Sequence, residues 1–274
     1  MSHPQNRKKV IIAGAGPGDP ELITMKAVRY LQNAEVVLTD RLVNPEILKK
    51  YVTGNAEIIY VGKEGYNSTS ITQSEINQLL VKHALQDKQV VRLKGGDVSV
   101  FSNLLDELII LTENNILFEI IPGITAASGA AAYSGIPLTA RGYSTAVRFL
   151  TFHNTQTSLD WKELANTDDT LVFYMVSQNL KDLVMHLMAH SDSPEKLLAV
   201  IEQATSIFQK VHTFRLNEYA VIAGNRQYSS PSLVIIGKVV ELHDSFNWFL
   251  ANKNHGTYFN KKKENIGSEY WIAD

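Results

Sequence analysis

Val10-Ile11-Ile12-Ala13-Gly14-Ala15-Gly16-Pro17-Gly18-Asp19-Pro20 is the stretch that decides the fold of this chain. A short β-branched run passes directly into a glycine-rich turn, and helical periodicity follows. Such a passage is the first strand-to-helix turn of an α/β domain, a place where nucleotides bind. The glycines stand at 14, 16 and 18, whereas a dinucleotide fingerprint needs relative positions one, three and six. Pro17 and Pro20 also stand where backbone N–H groups would face a pyrophosphate, and proline has none to donate. The turn therefore marks a nucleotide site that is not built for a dinucleotide.

The same passage recurs down the first half of the chain. Apolar runs at 36–39, 58–61, 90–93 and 118–121 lead into Asp40, Gly62-Lys63, Lys94-Gly95-Gly96-Asp97 and Pro122-Gly123-Ile124-Thr125. Between them, Thr72 and Glu75 have capping-box spacing, and Ile76, Leu79, Leu80, His83 and Ala84 share one helical face. This alternation predicts a parallel sheet covered by helices. The stretch 135–142 interrupts it and reads as a linker. Strands resume at 147–152, 170–175, 198–201 and 233–236, with an amphipathic helix carrying Leu180, Leu183, Val184, Leu187 and Met188. The expectation is an α/β protein of two domains, 8–136 and 137–250, followed by a polar tail, 251–274.

Composition narrows the chemistry. With 274 residues, 45% of them apolar and 20% charged, the chain can bury a sizeable core. A net charge of −2 gives no global basic field for nucleic acid, so an acidic ligand must be met by local arginines and lysines. The absence of cysteine excludes disulfides, thiolate metal centres and a thiol nucleophile. No run reaches the roughly 18 apolar residues of a membrane span, and no signal-length apolar segment follows the N-terminus. A cytoplasmic location is expected. His186 and His190 are spaced for zinc on one helical face, but no third ligand accompanies them, and surface histidines are the expectation. Met175, at a strand end, reads from composition as core packing.

Every loop rich in glycine, acid or lysine follows a strand and so lies at the ligand-binding edge of a parallel sheet. Asp40 stands about 20 residues beyond the first loop, where a dinucleotide domain keeps its ribose-binding acid. The residues alone leave it a ribose ligand, a general base or a solvated carboxylate.

Taken in order, residues 14–20, Asp40-Arg41-Leu42-Val43, Val61-Gly62-Lys63 and Arg92-Leu93-Lys94-Gly95-Gly96-Asp97 form a series. Pro122-Gly123-Ile124-Thr125-Ala126, the stretch 132–139 and Tyr174-Met175 continue it. On these motifs the chain, over about residues 8–250, resembles the uroporphyrinogen-III C-methyltransferases of the tetrapyrrole methylase superfamily. The resemblance implies the class III methyltransferase architecture, two α/β domains with an active-site cleft between them, in a homodimer. It implies S-adenosylmethionine as methyl donor, S-adenosylhomocysteine as product and no metal. The acceptor would be uroporphyrinogen III, methylated twice on pyrrole carbons to precorrin-2 on the siroheme and cobalamin route. By position, Pro17, Gly95, Gly96, Asp97, Val100, Thr125, Ala126, Met175 and Ala204 match the donor contacts. Asp40 matches the proton acceptor and Lys63 the proton donor. Arg41, Arg141 and Arg148, with Lys63, are the cations for the substrate's carboxylates.

The resemblance is imperfect after Gly-Gly-Asp. A loop arginine of the family is Asn103 here, two of its glycines are Leu104 and Leu105, and the glycine after Tyr-Met is Val176. The family's Leu-Thr-His-Arg is Leu138-Thr139-Ala140-Arg141. Two alternatives therefore stand beside the main reading: a later corrin-pathway methylase, and a tetrapyrrole- or adenosylmethionine-binding protein with weakened catalysis. A nicotinamide oxidoreductase is disfavoured by the glycine spacing.

Overall fold

The computed structural model describes residues 8–61, 71–152, 159–176, 179–223 and 226–250. These fall into two compact units that divide between Thr125 and Ala126.

The first unit carries five strands, β1 (Val10–Gly14), β2 (Val36–Thr39), β3 (Glu57–Tyr60), β4 (Val90–Lys94) and β5 (Phe118–Ile121), in the order β3-β2-β4-β1-β5. All pairings are parallel. The inner strands β1, β2 and β4 are buried at every residue, as near-continuous apolar runs between two helical layers must be. Ile11, Ala13, Val37, Val91 and Leu93 pack with α1 (Met25–Gln32) and α2 (Pro45–Tyr51). Val10, Ile12, Val36, Leu38 and Val90 pack on the other face with α3 (Gln73–Leu85) and α4 (Leu104–Glu113).

Local chemistry sets the helix starts. Thr24 accepts from the Ala27 N–H, and Asn44 accepts from the Glu46 N–H ahead of the α2 turn opened by Pro45. Thr72 and Glu75 form the capping box that their spacing predicts. The opening glycine loop runs into a single 3-10 turn, Pro20–Leu22, rather than a long helix, with the Asp19 side chain accepting from the Glu21 N–H.

The second unit opens with α5 (Ala126–Ser134) and continues as β6 (Val147–Thr151), α6 (Trp161–Asn166), β7 (Thr170–Tyr174), α7 (Leu180–His190), β8 (Leu197–Glu202), β9 (Lys210–Arg215), α8 (Leu216–Ile222), β10 (Ser232–Ile236) and a final short turn, α9 (His243–Phe246). Its strand order is β6-β7-β10-β8-β9. Only β6 and β7 are parallel; β10 runs against both β7 and β8, and β9 runs against β8.

Two features differ from the sequence reading. Strand β9 was not expected, because Lys-Val-His-Thr-Phe-Arg carries one buried residue and reads as a polar connection. The chain also divides ahead of α5, not within 135–142. Ala127 and Ala130 of α5 pack with Val172, Ile201, Leu233 and Ile235, so that helix is part of the second core. His186 stacks on Trp161 with ring centroids 4.6 Å apart, and His190 Nδ1 lies 2.8 Å from the His186 carbonyl. Among the described residues no cluster suited to a metal ion occurs, and no helix is long and apolar enough to cross a membrane.

The Thr72 cap gives a direct check on the local energetics. Thr72→Ala is expected to lower stability by about 1 kcal/mol, measured by urea unfolding, with hydrogen exchange accelerated first in the leading turn of α3.

Candidate functional site

At the C-terminal edge of the first sheet, three chain segments meet backbone to backbone. A Cβ placed on Gly14 would lie 2.6 Å from the Gly96 carbonyl oxygen and 2.7 Å from the Gly123 Cα, and one on Gly123 would overlap the Gly96 oxygen. No side chain fits at either position. Gly16 and Gly96 exchange backbone hydrogen bonds of 3.2 and 2.8 Å, both with positive φ, +82° and +69°. The loops after β1, β4 and β5 are thus locked together by glycine's lack of a side chain.

Asp97 fastens the same assembly. Its Oδ1 accepts from the Ser99 N–H at 2.9 Å and from the Ser99 hydroxyl, and its Oδ2 accepts from the Gly123 N–H at 2.8 Å. Burial pushes this carboxyl up, but the hydrogen bonds from Ser99, Gly123 and Val98 outweigh it and hold the group below the usual carboxylate range. The side chain therefore works inside the loop, binding the turn after β4 to the turn after β5. Val100 follows in this turn, half-buried, its N–H directed at the Asp97 carbonyl.

Asp40 follows β2 directly at the same edge. Its Oδ1 accepts from the Leu42 N–H at 2.9 Å and its Oδ2 from the Gly95 N–H at 3.2 Å. The carboxylate is oriented on both oxygens yet keeps further lone pairs for a proton or a ligand. Gly95 is tight against Leu42, whose Cβ would stand 2.8 Å from an added Cβ. Arg41 is exposed beside it, and Pro17 and Thr125 are half-buried on the loops that follow β1 and β5. Lys63 lies outside the described residues.

Beneath this edge is a feature that sequence reasoning missed. Arg92 and Lys94 of β4 are 4% and 3% exposed, and both donate to Oε1 of the fully buried Glu107 on α4, at 3.0 and 2.9 Å. The available signal was two cations at i and i+2 on a strand flanked on both sides, which demands a carboxylate from the covering helix.

The second sheet has an edge of its own. Strands β7 and β8 both run antiparallel to β10, so their C-termini share one side. There Met175 (φ +57°), Gln203 (φ +47°) and Thr205 (φ +65°) all adopt the left-handed conformation without being glycine. Strain of this kind persists where surrounding structure enforces it, and it gathers at functional sites. Met175 is 54% exposed, so composition misled in reading it as core. Ala204 is half-buried between the two strained residues, and Gln209 Oε1 accepts from the Thr205 N–H at 2.8 Å. Ala126 opens α5, whose next N–H donates to the Tyr174 hydroxyl at 3.1 Å.

The proposed substrate cations divide. Arg141 is exposed on a turn closed by Ala140 and Ser144. Arg148 is taken up locally by Asp169 at 2.5 Å and Glu163 at 2.8 Å. Asn103, in place of the family's arginine, is exposed, left-handed (φ +53°) and opens α4 without a side-chain cap.

A family model described as tetrapyrrole (corrin/porphyrin) methylases matches residues 9–220. Among curated relatives, the siroheme synthase of Ruthia magnifica subsp. Calyptogena magnifica is 45% identical over 245 residues, covering 89% of this chain and 52% of the relative. Siroheme synthase 2 of Yersinia enterocolitica serotype O:8 is 43% identical over 263 residues, 96% of this chain and 55% of the relative. The chain thus spans about half the length of the curated relatives it matches. A solved uroporphyrin-III C-methyl transferase from Thermus thermophilus, complexed with S-adenyl homocysteine, superposes with TM-score 0.71 at 33% identity over 85% of this chain and 94% of that one. A cobalt precorrin-4 methyltransferase shares the fold with TM-score 0.76 at 23% identity, covering 88% of this chain and 99% of that one.

Two substitutions test the loop assembly. Gly123→Ala is expected to cost about 3 kcal/mol in chemical unfolding, because backbone must move to admit the methyl group. Asp97 sits below its unfolded value, so its contribution is complete above the ordinary aspartate range near pH 4 and is lost as pH falls through and below it. Unfolding free energy of Asp97→Asn should accordingly vary less steeply than wild type below about pH 4.

Proposed function

The chain belongs to the tetrapyrrole (corrin/porphyrin) methylase family, and on that premise we propose that it methylates uroporphyrinogen III, twice, on pyrrole carbons, using S-adenosylmethionine. The product is precorrin-2, on the route to siroheme and cobalamin, and the acting species is a homodimer. The observation that carries this reading is the Asp40 carboxylate held against the amide of Gly95, in the same loop whose glycines interlock with β1 and β5.

The residues present suit the donor. In the second unit, Ala126, Met175 and Ala204 are the proposed donor contacts. In the first unit, backbone carbonyls at Gly95 and Gly96 and the backbone at Thr125 suit polar groups of an adenosyl amino acid, and Pro17 and Val100 supply apolar faces. The Gly95 and Gly96 amides are taken by Asp40 and Gly16. The Asp97 side chain keeps those backbones in place. The donor's sulfonium supplies an electrophilic methyl group, so the protein's task is alignment of methyl and carbon in one line. Once the new C–C bond has formed, a proton must leave the methylated macrocycle. Asp40 accepts it: the C–H bond breaks, its electron pair returns to the ring, and the carboxylate becomes a carboxylic acid. Lys63 is the proposed proton donor. Arg41 and Arg141, both exposed, meet the acidic side chains of the tetrapyrrole, while Arg148 is already paired with Asp169 and Glu163.

A second reading, a later corrin-pathway methylase, draws on Asn103, which places a neutral side chain where the family carries a cation. A binding protein with weakened catalysis would keep the donor contacts and lose turnover.

Anaerobic incubation with S-adenosylmethionine and uroporphyrinogen III separates the three. The main reading expects S-adenosylhomocysteine and the precorrin-2 chromophore, with Asp40→Ala slower by about 100-fold. Turnover only on a methylated corrin precursor selects the second reading. Donor binding without turnover, raised by Asn103→Arg, selects the third.

A further inference from the structure

The turn between β8 and β9 is built unlike an ordinary connection. Connecting loops run over the surface with their polar groups in water. Here Gln203, Thr205, Ser206 and Gln209 are all buried, and of residues 201–206 all but Ala204 are buried. The backbone closes on itself: the Ser206 N–H donates to the Gln203 carbonyl at 3.1 Å, and the Gln209 N–H to the Ser206 carbonyl at 3.0 Å. Gln203 and Thr205 flank Ala204 in the left-handed conformation, which side chains other than glycine rarely adopt. A backbone held that way needs support from outside the turn.

Gln209 supplies it. Its Oε1 accepts from the Thr205 N–H at 2.8 Å, and its Nε2 donates to the Tyr133 carbonyl at 3.0 Å. A side-chain amide can do both at once, and its orientation is fixed because one neighbour is a donor and the other an acceptor. The Tyr133 carbonyl belongs to the last turn of α5, where helix carbonyls lack intrahelical partners. At the other end of α5, the Ala127 N–H donates to the hydroxyl of Tyr174, the residue before Met175. The helix that opens with Ala126 is thus tied at its end to the turn carrying Ala204, and at its start to the strand leading into Met175. All of these residues lie in the second unit.

We propose that Gln209 is a positioning residue for the methyl donor: its buried amide holds the strained 203–205 turn against α5 and so keeps Ala204 in fixed relation to Ala126. The role rests on Ala126, Met175 and Ala204 being the donor contacts proposed above. It accounts for four polar side chains buried where a plain connecting turn would leave them in water.

The experiment uses the full chain with S-adenosylhomocysteine as probe. Wild type, Gln209→Met and Gln209→Glu are each checked for folding by near-ultraviolet circular dichroism. Methionine keeps the length of the side chain and makes neither hydrogen bond, whereas an ionised glutamate keeps the acceptor for Thr205 and loses the donor for Tyr133. Calorimetric titration should give affinity weaker by about tenfold or more in Gln209→Met and about threefold or more in Gln209→Glu. In turnover, KM for S-adenosylmethionine should rise with the lost affinity while kcat at saturating donor stays within about twofold. A merely structural role would instead reduce the fraction of competent protein, lowering stoichiometry and kcat with Kd and KM unchanged. That result, or equal affinity in folded Gln209→Met, overturns the proposal and leaves the donor reading standing. If Gln209→Met fails to fold, Gln209→Glu decides, and unchanged affinity in that variant overturns the proposal. Absence of binding to wild type refutes the donor reading and this role together. Weaker donor binding in folded variants of a protein that never methylates uroporphyrinogen III upholds the role and refutes the substrate.

Discussion

The first unit depends on a contact that only glycine permits. Gly14, Gly96 and Gly123 bring the ends of β1, β4 and β5 together at distances that leave no room for a Cβ at Gly14 or Gly123. Interlocked backbones replace the wide phosphate-binding turn of a dinucleotide domain. The N–H of Gly123 is spent on Asp97, and those of Gly16 and Gly96 on each other's carbonyls. What remains for a ligand is the outer rim of the loops, with the Asp40 carboxylate set into it. The misfit glycine spacing in the sequence and the close backbone approach in the structure are one fact seen twice.

Charge placement follows from that geometry. Because the loop after β4 is pinned by Asp97 above, its strand can be gripped by Glu107 below, through two cations in an otherwise apolar layer. Each carboxylate in this region has a separate mechanical task. Asp97 joins two loops, Glu107 joins helix to strand, and Asp40 faces the rim. Desolvation makes each placement costly, and the hydrogen bonds that offset the cost also fix orientation.

Much of this was legible in residue order. The parallel first sheet followed from apolar runs ending in glycine or acid, and the α3 start followed from Thr72 and Glu75. Asp40 and the Gly95-Gly96-Asp97 loop stood out as candidates by position at strand ends. Other features were not legible, for physical reasons. Strand β9 is a polar edge whose residues lack the alternation that marks a half-buried strand. The partner of Arg92 and Lys94 lies on a helix that begins beyond the loop, so only tertiary packing pairs them. Met175 looks like core because its type is apolar, while its exposure follows from a left-handed backbone that composition does not encode. The join between units fell ahead of an alanine-rich helix whose small residues give little sign of which core they enter.

The central claim is that the glycine rim of the first sheet is where the methyl donor is held. Calorimetric titration with S-adenosylhomocysteine tests it most directly, comparing wild type with Gly95→Ala, which sets a methyl group against Leu42. The account predicts saturable binding to wild type and affinity at least about tenfold weaker in the variant, a difference of roughly 1.4 kcal/mol. Absence of binding to wild type, or equal affinity in a folded variant, would contradict it.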